Sequence, residues 1–495
     1  MKIAFLVSES SPYSKTGGLA DVAGALPHAL AKLGHEVKVF TPLHREVRQK
    51  GIPLLKKADR VTFSSAGRPE TFALWESLEG GASVYFVDKP ALFDREGLYG
   101  TSAGDYPDNG PRFAFFAQAA LEALKALDFA PDVLHVHDWQ AAIALAYLKT
   151  LYADDAFFRA MRTLTTVHNL AYQGLFPKEV LAEIGLPERL FAMDGLEFFG
   201  KVSFLKAGIQ YATAISTVSH RYSQEIQTPE YGCGLDGLLR ARSESLTGIL
   251  NGVDYGAWDP SVDRDIPAGF GPGRLQGKSA CKQALLKEFE LPAGGKDLPL
   301  IGMVTRLAGQ KGLDLLLESL GGLFPRGVRL VILGAGEAQI QTALEAARSR
   351  FPSFFGLRLG FDEKLARRIY AGSDLFLIPS RYEPCGLTQM YSLKYASVPV
   401  VRATGGLDDS IRDFDPASGL GNGFKFGGYD APALLAAVGR AVRIFGRPDD
   451  WAKVRANGMG CDFSWARAAQ EYELLYASLA GRSRDEPSAR HLPVA

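Results

Sequence analysis

An α/β architecture of two doubly wound domains facing a central cleft follows from three features of the sequence. The chain has 495 residues, too many for one hydrophobic core. Short apolar runs alternate with helical patterns in both halves, and the runs are continuous, as expected of parallel strands covered on both faces. A stretch rich in Gly, Pro and Asp, DYGAWDPSVDRDIPAGFGPGRLQGK at 254–278, separates the halves and reads as a linker.

The first half opens with a strand over 2–8, a helix over 19–33 and a strand over 36–41. Val22, Leu26, Leu30 and Leu33 fall on one helix face at spacings of four and three. Pro27 inside that helix predicts a kink or a displaced start. Strands follow at SVYFVD (83–88), VLHVHD (133–138), TLTTVH (163–168) and ATAISTVS (212–219), with helices over 112–127 and 139–151. The second half repeats the alternation, with strands at 298–307, 328–336, 356–361, 375–380 and 398–403 and helices over 312–323, 337–350 and 363–371. The domains are therefore expected at 1–245 and 246–463. An amphipathic helix over 464–481 and a polar tail, 482–495, expected to be disordered, complete the chain.

Composition excludes several functions. Lys plus Arg equal Asp plus Glu at 55 each, so no overall field favours nucleic acid or an anionic membrane, and any anion site must be built locally. The 47% apolar and 22% charged content is that of an ordinary globular protein. Cys233, Cys281, Cys385 and Cys461 are scattered with no CxxC pair. That argues against a disulfide scaffold or a zinc site and fits a reducing compartment. The N-terminus, MKIAFLVSES, turns polar after a short apolar run and reads as a strand, not a signal peptide. No run approaches the roughly 18 apolar residues of a membrane span. A cytoplasmic location is expected.

Ligands of doubly wound sheets sit outside the carboxyl ends of the strands, so the loops there should carry the chemistry. After the first strand, SPYSKTGGLADV places Lys15, Gly17, Gly18 and Asp21 at a strand-to-helix turn. Adjacent glycines let backbone approach a ligand, and a helix start offers free N–H groups. The turn suits an anion or sugar hydroxyls; a tight turn with a solvated lysine is the plainer reading. VLHVHD ends in Asp138-Trp139. His135 and His137 lack an evident third metal ligand, so Asp138 is expected to accept a hydroxyl, with Trp139 offering an apolar plane. TLTTVH ends at His168-Asn169, a sugar-binding or a structural pair.

In the second half, Arg306 and Lys311 lie five residues apart at a strand end. They supply fixed positive charge of the kind a departing diphosphate needs, unless they are a solvated pair on a helix cap. Pro384 denies a helix at Glu383 and Gly386 frees the turn, so Glu383 could take vicinal hydroxyls of a sugar or ribose. Cys385 has no adjacent base; its backbone N–H is more useful than its thiol. Thr404-Gly405-Gly406-Leu407 nearly duplicates Thr16-Gly17-Gly18-Leu19, which suggests twin glycine turns gripping one ligand. Some motifs fail. Gly334-x-Gly336 lacks its third glycine at Gln339, and Gly277-Lys278-Ser279 has no preceding strand and Pro272 where a P-loop needs glycine. Asp263-x-Asp265 and Asp413-x-Asp415 follow no central strand.

In order, the Lys15-Thr16-Gly17-Gly18-Leu19 turn, HDW, VHN, NGVD (251–254), TRL…QKG, EPCGL and TGGL resemble the bacterial glycogen synthase and starch synthase family. These are retaining glucosyltransferases of the two-Rossmann, GT-B architecture, and the resemblance spans nearly the whole chain. It implies ADP-glucose as donor and the non-reducing end of an α-1,4-glucan (glycogen or maltooligosaccharide) as acceptor, with no metal and no further cofactor. By that resemblance Arg306 and Lys311 neutralise the diphosphate, and Glu383 with the Cys385 and Gly386 backbone holds the glucosyl hydroxyls. His168 and Asp138 bind the glucose, and Lys15 with Gly18 closes the donor site. Asp21, Asn169, Leu387, Thr404, Gly405 and Gly406 complete the implied substrate-binding set; Glu383, Arg306, Lys311 and His168 form the catalytic one. The last helix of this architecture commonly crosses back onto the first domain.

One departure is that the wider Glu-x7-Glu pattern ends here in Tyr391, as in the synthase subgroup's EPCGLTQ-x-Y. No protein nucleophile emerges. That fits the family's usual proposal, in which the leaving diphosphate takes the acceptor's proton on the same face of the sugar. Two alternatives stay open: a relative using UDP-glucose or a small acceptor, and a non-catalytic glucan- or nucleotide-binding protein on the same scaffold. Intact Arg306, Lys311 and Glu383 argue against the second. An oxidoreductase would rest only on the failed Gly334 motif.

Overall fold

The computed structural model describes residues 1–77, 82–101, 103–293 and 297–481; the expected tail at 482–495 lies outside them. The chain forms two compact units. Unit 1 comprises Met1–Val218, Ser223–Ile249 and the chain from Trp465 onward, and unit 2 comprises Ser219–Tyr222 and Leu250–Ser464.

The strands of unit 1 are β1 (Lys2–Leu6), β2 (Glu36–Pro42), β3 (Leu55–Ser65), β4 (Arg68–Ser77), β5 (Ser83–Asp88), β6 (Gly100–Thr101), β7 (Gly104–Asp105), β8 (Val133–His137), β9 (Arg162–Val167), β10 (Leu175–Phe176), β11 (Glu197–Phe198), β12 (Lys201–Ser203), β13 (Ala214–Thr217) and β14 (Leu246–Gly248). Nine of them form one sheet in the order β14-β13-β9-β8-β1-β2-β5-β4-β3. The continuous apolar runs are its parallel strands. At one edge β3 and β4, two strands not identified from the sequence, are antiparallel. The sequence of β3, LKKADRVTFSS, is largely exposed and lacks the apolar run of a covered strand; its charges suit a solvated edge.

The helix Gly18–Lys32 runs through Pro27. The proline removes one backbone donor but does not displace the start, because Val22, Leu26 and Leu30 remain buried on the core side. Leu33 is the C-cap and is exposed. The helix expected over 139–151 is two pieces, Asp138–Ala142 and Ala144–Lys149. The last helix, Trp465–Leu479, places Trp465, Ala469, Tyr472 and Tyr476 in the same core as Val22, Leu26 and Leu30.

Unit 2 contains β15 (Leu300–Leu307), β16 (Arg329–Gly336), β17 (Phe355–Leu359), β18 (Leu375–Ile378), β19 (Val398–Arg402) and β20 (Phe424–Phe426). They form one parallel sheet in the order β17-β16-β15-β18-β19-β20. The stretch expected as a linker is packed on this unit. Trp258 stacks on Tyr391 with ring centroids 4.1 Å apart, and Asp263 binds Arg367 and the Tyr395 hydroxyl.

In the first sheet the strand order runs outward from β1 to β2 and β5 on one side and from β8 to β9 on the other, so it reverses between β1 and β8. In the second it reverses between β15 and β18. Crevices outside the carboxyl ends at such switch points are where doubly wound sheets bind ligands.

Candidate active site

In unit 2, β15 ends in Arg306-Leu307 and the chain tightens into the turn Gly309–Lys311 before the helix Leu313–Leu323. Gly312 has φ +71°, and a side chain there would strike the Pro379 carbonyl at the exit of β18. Glycine therefore permits a close approach that brings Lys311 to the turn after β18. Lys311 Nζ donates to both carboxylate oxygens of Glu383, at 2.9 and 2.7 Å, and Ser380 Oγ donates to Glu383 Oε2 at 2.9 Å. An ionised carboxylate offers roughly four acceptor positions, so capacity remains on Glu383 for another hydroxyl. Arg306 lies exposed beside them, its Nη2 3.3 Å from Gln310 Oε1.

The Glu383 turn rests on the Thr404-Gly405-Gly406 turn. Gly406 N–H donates to the Glu383 and Pro384 carbonyls at 3.1 and 3.2 Å. Gly405 has φ +46°, and side chains at Gly405 and Gly406 would strike the Glu383 and Cys385 carbonyls. Gln389 Nε2 holds the Cys385 and Gly386 carbonyls at 3.1 and 2.9 Å, and Leu387 caps the helix Thr388–Lys394. Burial pushes the Cys385 thiol up to about 12, which leaves it a poor nucleophile. Nothing lies within 4 Å of where a side chain on Gly18 would sit. The two TGGL turns thus answer to different surroundings, tight packing in unit 2 and open space in unit 1.

In unit 1, burial shifts three titratable groups at the switch point toward their neutral forms. Glu9, just beyond β1, accepts the backbone and hydroxyl hydrogens of Thr16, and burial pushes its carboxyl up to about 7. Asp138, at the end of β8, has φ +52° and accepts the His168 N–H at 2.7 Å; burial raises it to about 7 as well. The His168 Nε2 lies 2.9 Å from His137 Nδ1. Burial depresses the His168 imidazole to about 3, so it is neutral at physiological pH. The Asn169 Oδ1 accepts the Ala171 N–H at 3.1 Å. The Tyr99 hydroxyl lies 2.7 Å from Ser8 Oγ and feels the charges of Glu9 and Asp138. Lys15, 51% exposed along its side chain, pairs with Asp21 at 2.6 Å.

One expectation changes here. Trp139 is a core residue, edge-on to Phe113 and packed over Gly174, because its helix turns that side inward. His135 is also internal, bonded to the Tyr476 hydroxyl at 2.8 Å and to Thr166 Oγ1. Among the described residues no group of three or more His, Cys, Asp or Glu is placed to hold a metal ion, and no helix is long and apolar enough to cross a membrane. The failed motifs serve packing. Lys278 is buried and donates to the Tyr370, Ala371 and Tyr395 carbonyls, Asp413 binds Arg440, and Gly334 makes room for Leu307.

Sequence reading missed Glu9 and Tyr99. An acid placed directly after a first strand was the available signal for Glu9; nothing local marks Tyr99. It also missed Phe361, an aromatic two residues beyond β17 that is 89% exposed at the carboxyl end of the second sheet.

Two doubly wound sheets, each gathering polar side chains at its switch point, are the architecture of a GT-B glycosyltransferase. The family model for the starch synthase catalytic domain matches residues 2–241, and that for glycosyl transferases group 1 matches 287–453. A glycogen synthase from Anaeromyxobacter dehalogenans (strain 2CP-C) is 50% identical over 97% of this chain and 100% of its own length. One from Koribacter versatilis (strain Ellin345) is 47% identical over 96% and 98%. The catalytic domain of starch synthase IV from Arabidopsis thaliana, solved bound to ADP and acarbose, is similar with a TM-score of 0.88 at 34% identity, covering 97% of this chain and 99% of that one. The chain belongs to the glycogen synthase family.

Proposed function

We propose that this protein transfers glucose from ADP-glucose to the non-reducing end of an α-1,4-glucan, with retention of configuration, in the cytoplasm and without a metal ion. The observation that carries the reading is the Lys311–Glu383 pair beside Arg306 at the switch point of unit 2. Family membership supports the reaction class, and the ADP in the starch synthase IV relative supports the adenine nucleotide.

In this reading Arg306 and Lys311 offset the charge that grows on the diphosphate as its bond to glucose C1 breaks. Each charged hydrogen bond contributes about 1.5–3 kcal/mol. Glu383 accepts glucosyl hydroxyls with its remaining capacity, while the Cys385 and Gly386 backbone, Leu387, Thr404, Gly405 and Gly406 shape the donor site. His168, Asp138 and Asn169 hold the sugar with groups that exchange hydrogen bonds without bringing a full charge. Lys15, Gly18 and Asp21 serve the donor at the first turn. The acceptor hydroxyl attacks C1 on the face the diphosphate leaves, and its proton passes to the departing phosphate oxygen. Cys385 and His168 take no nucleophilic part, one kept protonated and the other held by His137.

The test is ADP or UDP release from purified protein with glycogen, comparing ADP-glucose with UDP-glucose, with and without a chelator. Release that depends on glycogen, prefers ADP-glucose and ignores the chelator is expected. Preference for UDP-glucose would overturn the donor assignment, loss with chelator the metal-free mechanism, and no release with either donor the enzymatic reading.

A further inference from the structure

The hairpin between β11 and β12 breaks a local rule. Its two loop residues, Phe199 and Gly200, have φ of +47° and +78°, the left-handed pair of a tight hairpin turn whose first position favours Asn, Asp or Gly. A bulky aromatic there is a backbone outlier. A second hairpin of the same chain, β3–β4, shows what an ordinary exception looks like. Ala66 and Gly67 have φ of +49° and +74°, and Ala66 is small and sits against Gly185, whose hydrogen faces it where a side chain would collide.

Ala66 is exposed as well but carries only a methyl group, whereas Phe199 puts a whole aromatic side chain in water. The residue is 82% exposed; its ring meets Phe198 edge-on with centroids 4.8 Å apart, and one ring edge lies where a side chain on Gly234 would collide with it. Left-handed strain and an apolar ring in water are both unfavourable. Where a sequence carries both at one residue, an external partner is the economical explanation.

We propose that Phe199 is a stacking platform for a glucosyl unit of a bound α-1,4-glucan; this rests on the acceptor assignment made above. A pyranose presents a flat face of C–H bonds that matches one aromatic ring, while its hydroxyls stay in water around the rim. A protein partner fits less well, since a stable interface buries at least about 1,200 Å² and one ring offers on the order of 200 Å². A polymer, in contrast, gains from one added weak contact, because every such contact raises the effective concentration of the others.

Phe199→Asn separates binding from folding, since Asn is a residue this turn favours. Its Tm is expected to hold or rise, while the apparent Kd for glycogen, measured without donor by affinity electrophoresis, rises about five- to tenfold. Phe199→Trp should bind at least as tightly as the unaltered protein. Unchanged glycogen affinity in Phe199→Asn overturns the proposal. So does a shift in oligomeric state on sedimentation with glycogen affinity intact, which would make the ring a protein contact. If Phe199→Asn loses Tm, the Trp variant decides: retained affinity supports the platform and weakened affinity overturns it. Because this binding assay uses no nucleotide-sugar, its failure is distinguishable from a failure to release ADP.

Discussion

Lys311→Met removes the charge that meets Glu383 at 2.7 and 2.9 Å, in a pair whose side chains are only 17% and 10% exposed. Removing one partner of a buried pair leaves an uncompensated carboxylate at a cost of about 3–5 kcal/mol. The residual exposure of Lys311 argues for the lower end, about 3 kcal/mol. At about 2–4 °C per kcal/mol for a unit of this size, Tm falls by roughly 6–12 °C. Turnover falls for a separate reason. One charged hydrogen bond to the departing diphosphate is lost, about 1.5–3 kcal/mol, which corresponds to a factor of about 10–150. The double variant Lys311→Met, Glu383→Gln separates the two effects. With both charges gone the folding penalty is largely relieved, so Tm returns toward that of the unaltered protein, while turnover stays down by at least about tenfold. Differential scanning calorimetry and ADP release at saturating substrates read both quantities. Recovery of turnover together with Tm would show the pair to be structural and refute the site.

Other outcomes follow from the unit 1 acids, the glycines and the exposed arginine. Glu9 and Asp138 are raised from 4.5 and 3.8 to about 7, so their burial costs nothing below about pH 4 and weakens the fold increasingly as pH climbs through about 7. Asp138→Asn keeps an acceptor for the His168 N–H and tolerates the left-handed backbone; its gain in Tm should be larger at pH 8 than at pH 5, and an equal gain at both would contradict the burial argument. Gly405→Ala should lower both Tm and turnover, since its side chain would strike the Glu383 carbonyl. Gly18→Ala, with open space around it, should keep its Tm, and any rise in KM for ADP-glucose would then report backbone approach to the donor; an unchanged KM removes Gly18 from the site. Added salt should raise KM for ADP-glucose through exposed Arg306 and leave KM for glycogen nearly constant; the reverse pattern would exchange the two assignments.

The parallel strands were legible because a strand covered on both faces must be apolar throughout, as FLV and LFLIPS are. The edge hairpin β3–β4 was not, because solvent on its outer side lets charge interrupt the pattern. Arg306, Lys311 and Glu383 stood out as polar residues at strand ends. The direct pairing of Lys311 with Glu383 did not, since it depends on Gly312 lying against Pro379, in a contact between loops far apart in sequence. Glu9 was missed because its shifted carboxyl comes from burial, which the local sequence does not reveal. Trp139 was misread because a strand-end aromatic looks the same in sequence whether it faces the core or solvent.

Strand order cannot say which sheet serves sugar hydroxyls and which serves phosphate, because both reverse in the same way. Charge state can. A carboxyl poised near 7 can accept or donate, and a neutral imidazole can do both, so Glu9, Asp138 and His168 match the mixed donors and acceptors of a sugar without drawing in ions. A diphosphate carries negative charge throughout the reaction and gains more at departure, so groups held neutral by burial would serve it poorly. Fixed cations on a tight turn serve it well, and in a chain with equal numbers of acids and bases they act locally or not at all. The proposal that Glu9, Asp138 and His168 meet sugar hydroxyls while Arg306 and Lys311 meet the diphosphate therefore rests on where burial and fixed charge fall, independently of which loop comes first in the sequence.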